Sequence, residues 1–234
     1  MRRTLALFAA AALVGCGQPA EQAPKSTEAP SAPAAEPAPV TAPAGAYTLD
    51  KGHTSVTFKV NHMGVSNYTA RFTDIDAQMQ FDPENPERTS VTATIDPASI
   101  ETDYPDPKTD FDALLRGKDF LAADQFPPMT FRSTKVERTG PRTARVTGDL
   151  SFRGVTRPVV LETTFNGGYP AGGMDPTGAR IGFSAKGALK RSDFGMKTGL
   201  PAPGSQMGVG DLVEVIIEAE FIQPAPAAPA PAAS

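Results

Sequence analysis

The chain has 234 residues, a formal net charge of −4, 24 prolines, one cysteine and no tryptophan. A single cysteine excludes a disulfide-stapled fold, and the acidic balance, without any long Lys/Arg run, excludes nucleic acid and an anionic lipid surface as electrostatic partners. Proline and alanine crowd both ends, which leaves one globular domain, residues 46–222, large enough to bury a core without metal.

Met1, Arg2 and Arg3 form a basic start, and residues 5–14 an apolar run too short to span a bilayer lastingly. Residues 1–15 are therefore expected to be a signal peptide. Leu13-Val14-Gly15-Cys16 resembles the lipobox of bacterial lipoproteins, in which cleavage makes the cysteine the acylated N-terminus. Cys16 is expected to carry several acyl chains, palmitate among them, and to hold the protein on a membrane, since each buried CH₂ contributes about 0.8 kcal/mol. In lipoproteins that this resembles, an aspartate after the cysteine marks inner-membrane retention. Gly17 stands there instead, so the expected location is the periplasm, lipid-anchored, with the outer membrane favoured. Residues 16–45 hold almost no large apolar side chain and read as a disordered tether with a reach on the order of 80 Å. Residues 223–234 repeat this composition as a tail.

Between the two ends, apolar residues recur with period two, the mark of strands with one buried face. Val56, Phe58, Val60 and His62 share a face; so do Ile75, Ala77, Met79 and Phe81, and Val91, Ala93 and Ile95. Asp110 can cap a short helix over 110–116, with Phe111, Leu114 and Leu115 inward and Gly117 as its stop. Further on, Ala144, Val146, Gly148, Leu150 and Phe152 alternate with polar residues, as do Leu161 and Phe165, then Ile181, Phe183, Ala185, Gly187 and Leu189. Val213, Val215, Ile217, Ala219 and Phe221 face away from Glu214, Glu218 and Glu220. Turn-rich stretches separate these runs, which predicts an all-β fold, an antiparallel sheet that closes on itself or packs as a sandwich.

A barrel of about eight strands has room for packed side chains or for one ligand. Ala77, Ala93, Gly148, Ala185, Gly187 and Ala219 are small for inward positions and leave volume unfilled unless something occupies it; ordinary tapering of a packed barrel is the alternative. If a tunnel exists, its wall is expected from Phe58, Val60, His62, Ala77, Met79, Phe131, Leu150, Leu161, Phe165, Phe183, Ala185, Leu189, Val215, Ile217 and Ala219. Lys190-Arg191 is placed for an anionic head group, with pairing of Arg191 to a nearby aspartate as the other option.

Tyr47-Thr-Leu-Asp-Lys-Gly-His53-Thr-Ser-Val-Thr-Phe58-Lys-Val-Asn-His62-Met-Gly64-Val-Ser66 resembles the opening of the YceI-like family of lipid- and polyisoprenoid-binding periplasmic proteins. Three further blocks agree in order and spacing: Phe120-Leu-Ala-Ala-Asp-Gln-Phe-Pro127, Gly148-Asp-Leu-Ser-Phe-Arg-Gly154-Val-Thr156-Arg-Pro158, and Gly182-Phe-Ser-Ala-Lys-Gly-Ala-Leu-Lys190-Arg191-Ser-Asp193-Phe194-Gly195. The resemblance implies a lipocalin-like antiparallel up-and-down β-barrel with about eight strands, holding an extended isoprenoid or fatty chain with its polar head near one opening. Tyr68-Thr69-Ala70 and Leu121 depart from the family's usual glycine and aromatic, and residues 169–177 resemble an inserted Gly/Pro loop.

Enzyme motifs lack their partners. Asp193-Phe194-Gly195 has no phosphate loop, Lys197-Thr198-Gly199 has no Ser-x-x-Lys, and only two histidines are available to activate a nucleophile. His53 and His62, nine residues apart, do not suggest zinc; His53 is expected to be structural, and His62 to end its strand or meet a head group. Asp103, Asp106, Asp110 and Asp112 lack the glycine and terminal glutamate of a calcium loop and read as a solvated turn. The expected function is non-catalytic binding, sequestration or transport of a long isoprenoid or other amphipathic lipid in the cell envelope. No cofactor is expected beyond an isoprenoid quinone or polyprenyl lipid as ligand. The alternatives are an accessory to envelope electron transfer through a bound quinone, and a ligand-free structural domain. Nothing in the sequence sets the oligomeric state, and a dimer is compatible with it.

Overall fold

The computed structural model describes residues 41–173 and 175–225. The expected signal peptide, Cys16, most of the tether and nearly all of the tail lie outside the described residues. Eleven strands follow in order: β1 (Gly45–Leu49), β2 (Ser55–His62), β3 (Ser66–Phe72), β4 (Ile75–Phe81), β5 (Ser90–Ile95), β6 (Ile100–Glu101), β7 (Met129–Arg138), β8 (Thr143–Phe152), β9 (Val155–Tyr169), β10 (Gly178–Lys190) and β11 (Val209–Pro224). Helix α1 (Phe111–Arg116) lies between β6 and β7.

Every pairing is antiparallel. β1 and β2 are two halves of one bent stave, because both pair with β11; β3 with β4 and β5 with β6 are bent in the same way. The eleven strands therefore trace eight staves, each paired with its chain neighbour, and the first pairs with the last. The result is a closed eight-strand up-and-down barrel, one of the two arrangements the patterning allowed and the one the resemblance implied. Closure through β11 pairs the first and last staves, and the stretch of β3 before Arg71 pairs on one side only, with β2.

The three bends sit side by side. The turn at 51–53 is capped by Asp50, which accepts from Gly52 N at 3.0 Å, and the turn at 97–99 by Asp96, which accepts from Ala98 N at 2.8 Å. Between them, Lys51 pairs with Asp74 at 3.2 Å and Asp76 at 2.8 Å, while Asp96 N donates to Asp74 O and Thr73 N to Ser99 O. One crease thus crosses three adjacent staves and curves the sheet.

β4 shows how sequence sets the faces: Ile75, Ala77, Met79 and Phe81 are buried and the three residues between them are exposed. The buried apolar residues fall into two groups. One, near the chain ends, gathers Tyr47, Met79, Phe81, Ile181 and Phe221; the other, near α1, gathers Ile100, Met129, Leu150, Phe152 and Phe194. The folded part begins earlier than residue 46, since β1 starts at Gly45 and Ala42 packs into the first group. It also ends later than 222, because β11 runs to Pro224.

α1 forms where expected. Asp110 accepts from Ala113 N at 2.8 Å, and Gly117 follows the last turn. The expectation for Leu114 is corrected: it is exposed, and only Phe111 and Leu115 turn inward. The aspartates around the helix work locally, Asp106 accepting from Lys108 N and Asp112 from Thr102 N.

Arg180 on β10 ties the crease to the 170–177 loop. Its guanidinium bonds both Asp50 and Asp175, and Glu220 lies 3.6 Å away. The bonds from Arg180 and His53 hold the Asp50 carboxyl at about 2, and those from Thr177 and Arg180 hold Asp175 at about 2, against an ordinary value of 3.8. Both carboxyls titrate lower when folded, so their stabilisation is full above the ordinary value and is lost as pH falls toward the folded value. Arg180→Gln should therefore lower the melting temperature by several degrees at neutral pH. It should also give a shallower loss of stability between about pH 4 and pH 2 than the parent. Parallel acid limbs in thermal unfolding would show that Arg180 does not act on these carboxyls.

Candidate functional site

The barrel encloses a cavity of about 830 Å³, within the roughly 300–1,000 Å³ of small-molecule sites. It arises from side-chain size on the inward faces. Ala77 on β4, Ala93 on β5, Ala185 on β10 and Ala219 on β11 all line it, and their short side chains leave the middle of the barrel open.

Two small residues act differently. A Cβ on Gly148 would overlap the Phe131 ring, and one on Gly187 would come within 2.7 Å of the Leu161 side chain. Gly148 thus makes room for Phe131 and not for a ligand, which corrects its assignment to unfilled volume, whereas Gly187 lines the cavity and makes room for Leu161 as well.

All the residues expected in the tunnel wall line the cavity. Phe58, Val60 and His62 come from β2, Ala77 and Met79 from β4, and Phe131 and Leu150 from β7 and β8. Leu161 and Phe165 come from β9, Phe183, Ala185 and Leu189 from β10, and Val215, Ile217 and Ala219 from β11; Arg191, just past β10, also touches it. Toward the chain ends the wall is aromatic: Phe165 packs 5.7 Å from Phe81 and 5.3 Å from Phe183, and Phe183 lies 6.2 Å from Phe221. At the α1 end Phe111 meets Tyr68 edge-to-face at 5.7 Å and Tyr104 at a tilt at 4.9 Å. Sequence periodicity missed Tyr68, Tyr104 and Phe111 as wall residues. Tyr104 lies in an irregular connection, where no two-residue period exists to reveal it.

Arg191 requires a correction. It is buried, and its guanidinium donates to four backbone carbonyls: Gly210 O at 2.8 Å, Thr198 O at 2.8 Å, Val209 O at 2.8 Å and Met196 O at 3.4 Å. Nor does it hydrogen-bond the nearest aspartate, because Asp211 accepts from the Ser192 amide and hydroxyl at 2.9 and 2.8 Å. Burial pushes its pKa down from the ordinary arginine value, yet its donors remain occupied by the 191–210 connection. Arg191 is a brace for that connection and not an open cation for a head group. The neighbouring Lys190 points to solvent.

His62 is exposed at the end of β2, where it pairs with Ser66 and Val209. His53 is held by Asp50 at 3.0 Å, which raises its pKa. Asp50, His53 and Glu220 bring their ligand-type atoms within 4.8 Å of one another, a cluster that spacing did not reveal. Arg180 sits against the two carboxylates and supplies the countercharge that a cation would otherwise bring.

The YceI-like domain model matches residues 47–221. Protein YceI of Escherichia coli O6:H1 is 39% identical over 186 residues, which cover 78% of this chain and 90% of that protein. A UPF0312 protein of Pseudomonas savastanoi pv. phaseolicola is 39% identical over 168 residues, covering 70% and 82%. Among solved structures, the Campylobacter jejuni YceI protein superposes with a TM-score of 0.58 at 35% identity, covering 76% of this chain and 98% of that one. A polyisoprenoid binding domain from Saccharophagus degradans, at 14% identity and a TM-score of 0.55, shares the fold over 76% of this chain and 98% of its own.

Replacing Arg191 by Gln strands several buried carbonyls, so unfolding in denaturant should lose roughly 2–4 kcal/mol. A variant of unchanged stability that binds apolar chains more weakly would restore the head-group role.

Proposed function

The chain belongs to the YceI-like family, and from that premise we propose that it binds a long isoprenoid or comparable amphipathic lipid and sequesters or carries it within the cell envelope, without chemistry of its own. The observation that carries this is the cavity of about 830 Å³, walled by aliphatic and aromatic side chains from strands all round the barrel. Water gains few hydrogen bonds in such a space, whereas an apolar chain recovers about 25 cal/mol for each Å² it removes from solvent. The polyisoprenoid binding of the Saccharophagus domain supports the same ligand class on the same fold. In this proposal Cys16 is acylated after removal of residues 1–15, and a lipid-anchored protein works in the periplasm, at the outer membrane.

Organic-solvent extraction of the native protein, followed by mass spectrometry, should release a long-chain lipid; an empty extract together with no binding of added isoprenoid would remove the proposal. Ala185 lies in the wall beside Thr163 and Ile217, so Ala185→Phe should fill the space a chain takes. We expect about a tenfold or greater loss of isoprenoid affinity with little change in denaturation midpoint. Overpacking of a filled core would instead cost about 1–3 kcal/mol. For the anchor, Cys16→Ser should leave the barrel folded and free of the membrane. Retention of that variant in membranes after a high-salt wash would place the attachment elsewhere.

A further inference from the structure

Six of the eight large apolar residues that are exposed among the described residues stand at one end of the barrel. An up-and-down chain turns alternately at its two ends. The β2–β3 turn, the α1 connection, the β8–β9 turn and the β10–β11 connection therefore share one end, while β1 begins and β11 finishes at the other. Met63 and Val65 lie on the β2–β3 turn, Tyr104 and Leu114 on the α1 connection, Met207 on the β10–β11 connection and Leu212 at the start of β11. Val65 is 82% exposed and Met207 71%, the two most exposed of the set.

The two loops that carry Met63, Val65 and Met207 are joined into one projection. Met63 N donates to Gly208 O at 2.8 Å, and a Cβ on Gly64 would overlap the Gln206 side chain. Met63 holds φ 55 and Gly64 φ 72, the left-handed pair of a tight hairpin turn in which Asn, Asp or Gly ordinarily fills the first place. A methionine is strained there and its side chain stays exposed. Residues 60–70 contain no Asp, Glu, Lys or Arg, and residues 194–210 only Lys197, in a chain of which 21% is charged. The acids of this end stand on the α1 connection, from Asp103 to Asp124, and at Asp193 and Asp211, not on the two loops.

This projection borders the cavity. His62 and Val209, which pair with each other, line the cavity and are the chain neighbours of Met63 and Gly208. Tyr68, opposite Val60 on the same hairpin, lines it too and meets Phe111 of α1. An exposed apolar surface is thus continuous with an apolar interior. A chain long enough to fill that interior dissolves poorly in water, because every CH₂ adds to the cost of leaving a bilayer. A mouth that meets the bilayer removes the aqueous step. The expected tether does not prevent this. It enters at the other end, ahead of β1, but its reach on the order of 80 Å exceeds the 16 residues of β11, about 53 Å at about 3.3 Å each.

We infer that the α1 end of the barrel docks on a lipid bilayer, with Met63, Val65 and Met207 seated beneath the head groups, and that the lipid passes between membrane and cavity there. This rests on the lipid-binding function proposed above and adds the surface through which the ligand is exchanged. The attraction is apolar and not electrostatic. Lys197 is the one Lys or Arg on the two loops, and the aspartates of the α1 connection repel an anionic surface. A second copy of the chain seated on the same loops would close the mouth, whereas a bilayer supplies what the cavity holds.

The test uses as parent the full chain carrying Cys16→Ser, so that no acyl chain contributes, with vesicles of palmitoyl-oleoyl phosphatidylcholine. The parent should sediment with these vesicles, and replacing part of the lipid by phosphatidylglycerol should not strengthen the association. Adding Val65→Asp and Met207→Asp should lower the partition coefficient about tenfold or more and slow geranylgeraniol uptake from vesicles by a similar factor. Both positions are exposed, so the melting temperature and the affinity for geranylgeraniol added from ethanol should match the parent's. Val160→Asp, an equal charge change at an exposed position of β9, should leave partition and uptake intact. Full vesicle binding or full uptake by the double Asp variant overturns docking at these loops. So does a parent that stays out of the vesicle pellet yet binds geranylgeraniol from ethanol, and either result leaves lipid binding standing. A dimer in sedimentation equilibrium that the double substitution dissociates, without vesicle association, assigns the loops to a second copy and overturns the bilayer. Failure to bind geranylgeraniol from either source removes the lipid-binding function and the exchange with it.

Discussion

Backbone hydrogen bonds must be satisfied along every stave, and an eight-strand sheet can do this only by joining its two outermost strands. Here that joint is β11 against β1 and β2, where partners such as Thr57 and Ile216 lie 159 residues apart in the chain. Everything functional depends on the closure, because an open sheet of the same strands would present these inward faces to water. Closure needs curvature, and curvature is concentrated in the crease through residues 51–53, 73–74 and 97–99. Aspartate caps at Asp50 and Asp96 and the Lys51 and Arg180 ion pairs hold it. The exposed pairs contribute little individually. Their value lies in fixing where each stave bends, so that both halves still meet their neighbours in register.

Once closed, a barrel of this strand number sits at the boundary between a packed interior and a ligand site. The balance is decided residue by residue. Gly148 favours packing, since it lets the Phe131 ring approach the backbone of β8. Ala77, Ala93, Ala185 and Ala219 favour a cavity, since each contributes only a methyl group to the wall. The two buried apolar groups hold the fold, and most of their members also line the cavity, so wall and core are largely the same residues.

Much of this was legible in sequence, wherever a strand has one wet face and one dry one. β2, β4, β5, β8, β10 and β11 follow from period-two alternation, and so do most of the wall residues they contribute, Thr143 and Val209 being exceptions. β1 was hidden beside a low-complexity segment, and β3 by a run, Ser66 to Phe72, in which polar residues occupy most positions. β7 escaped because its bulge reverses the parity of the inward positions partway along. Arg191 illustrates a different limit. A cation next to an apolar strand looks like a ligand contact, and what decides otherwise is the convergence of backbone carbonyls from residues 196, 198, 209 and 210, which carries no side-chain signature.

The same limit explains why the place of Arg138 and Arg142 in the cavity wall could not be read from sequence. Arg138 and Arg142 sit in a chain with many similar exposed arginines, and neither spacing nor composition sets them apart. A single extra residue in β7 does so, by turning one guanidinium from the outer surface to the inner wall, while the tight turn that follows places the second beside the Phe165 ring. Local backbone irregularity therefore carries information that regular alternation cannot. The regular parts of the staves build an apolar container, and the irregularity in β7 decides which side chains join its wall at that end.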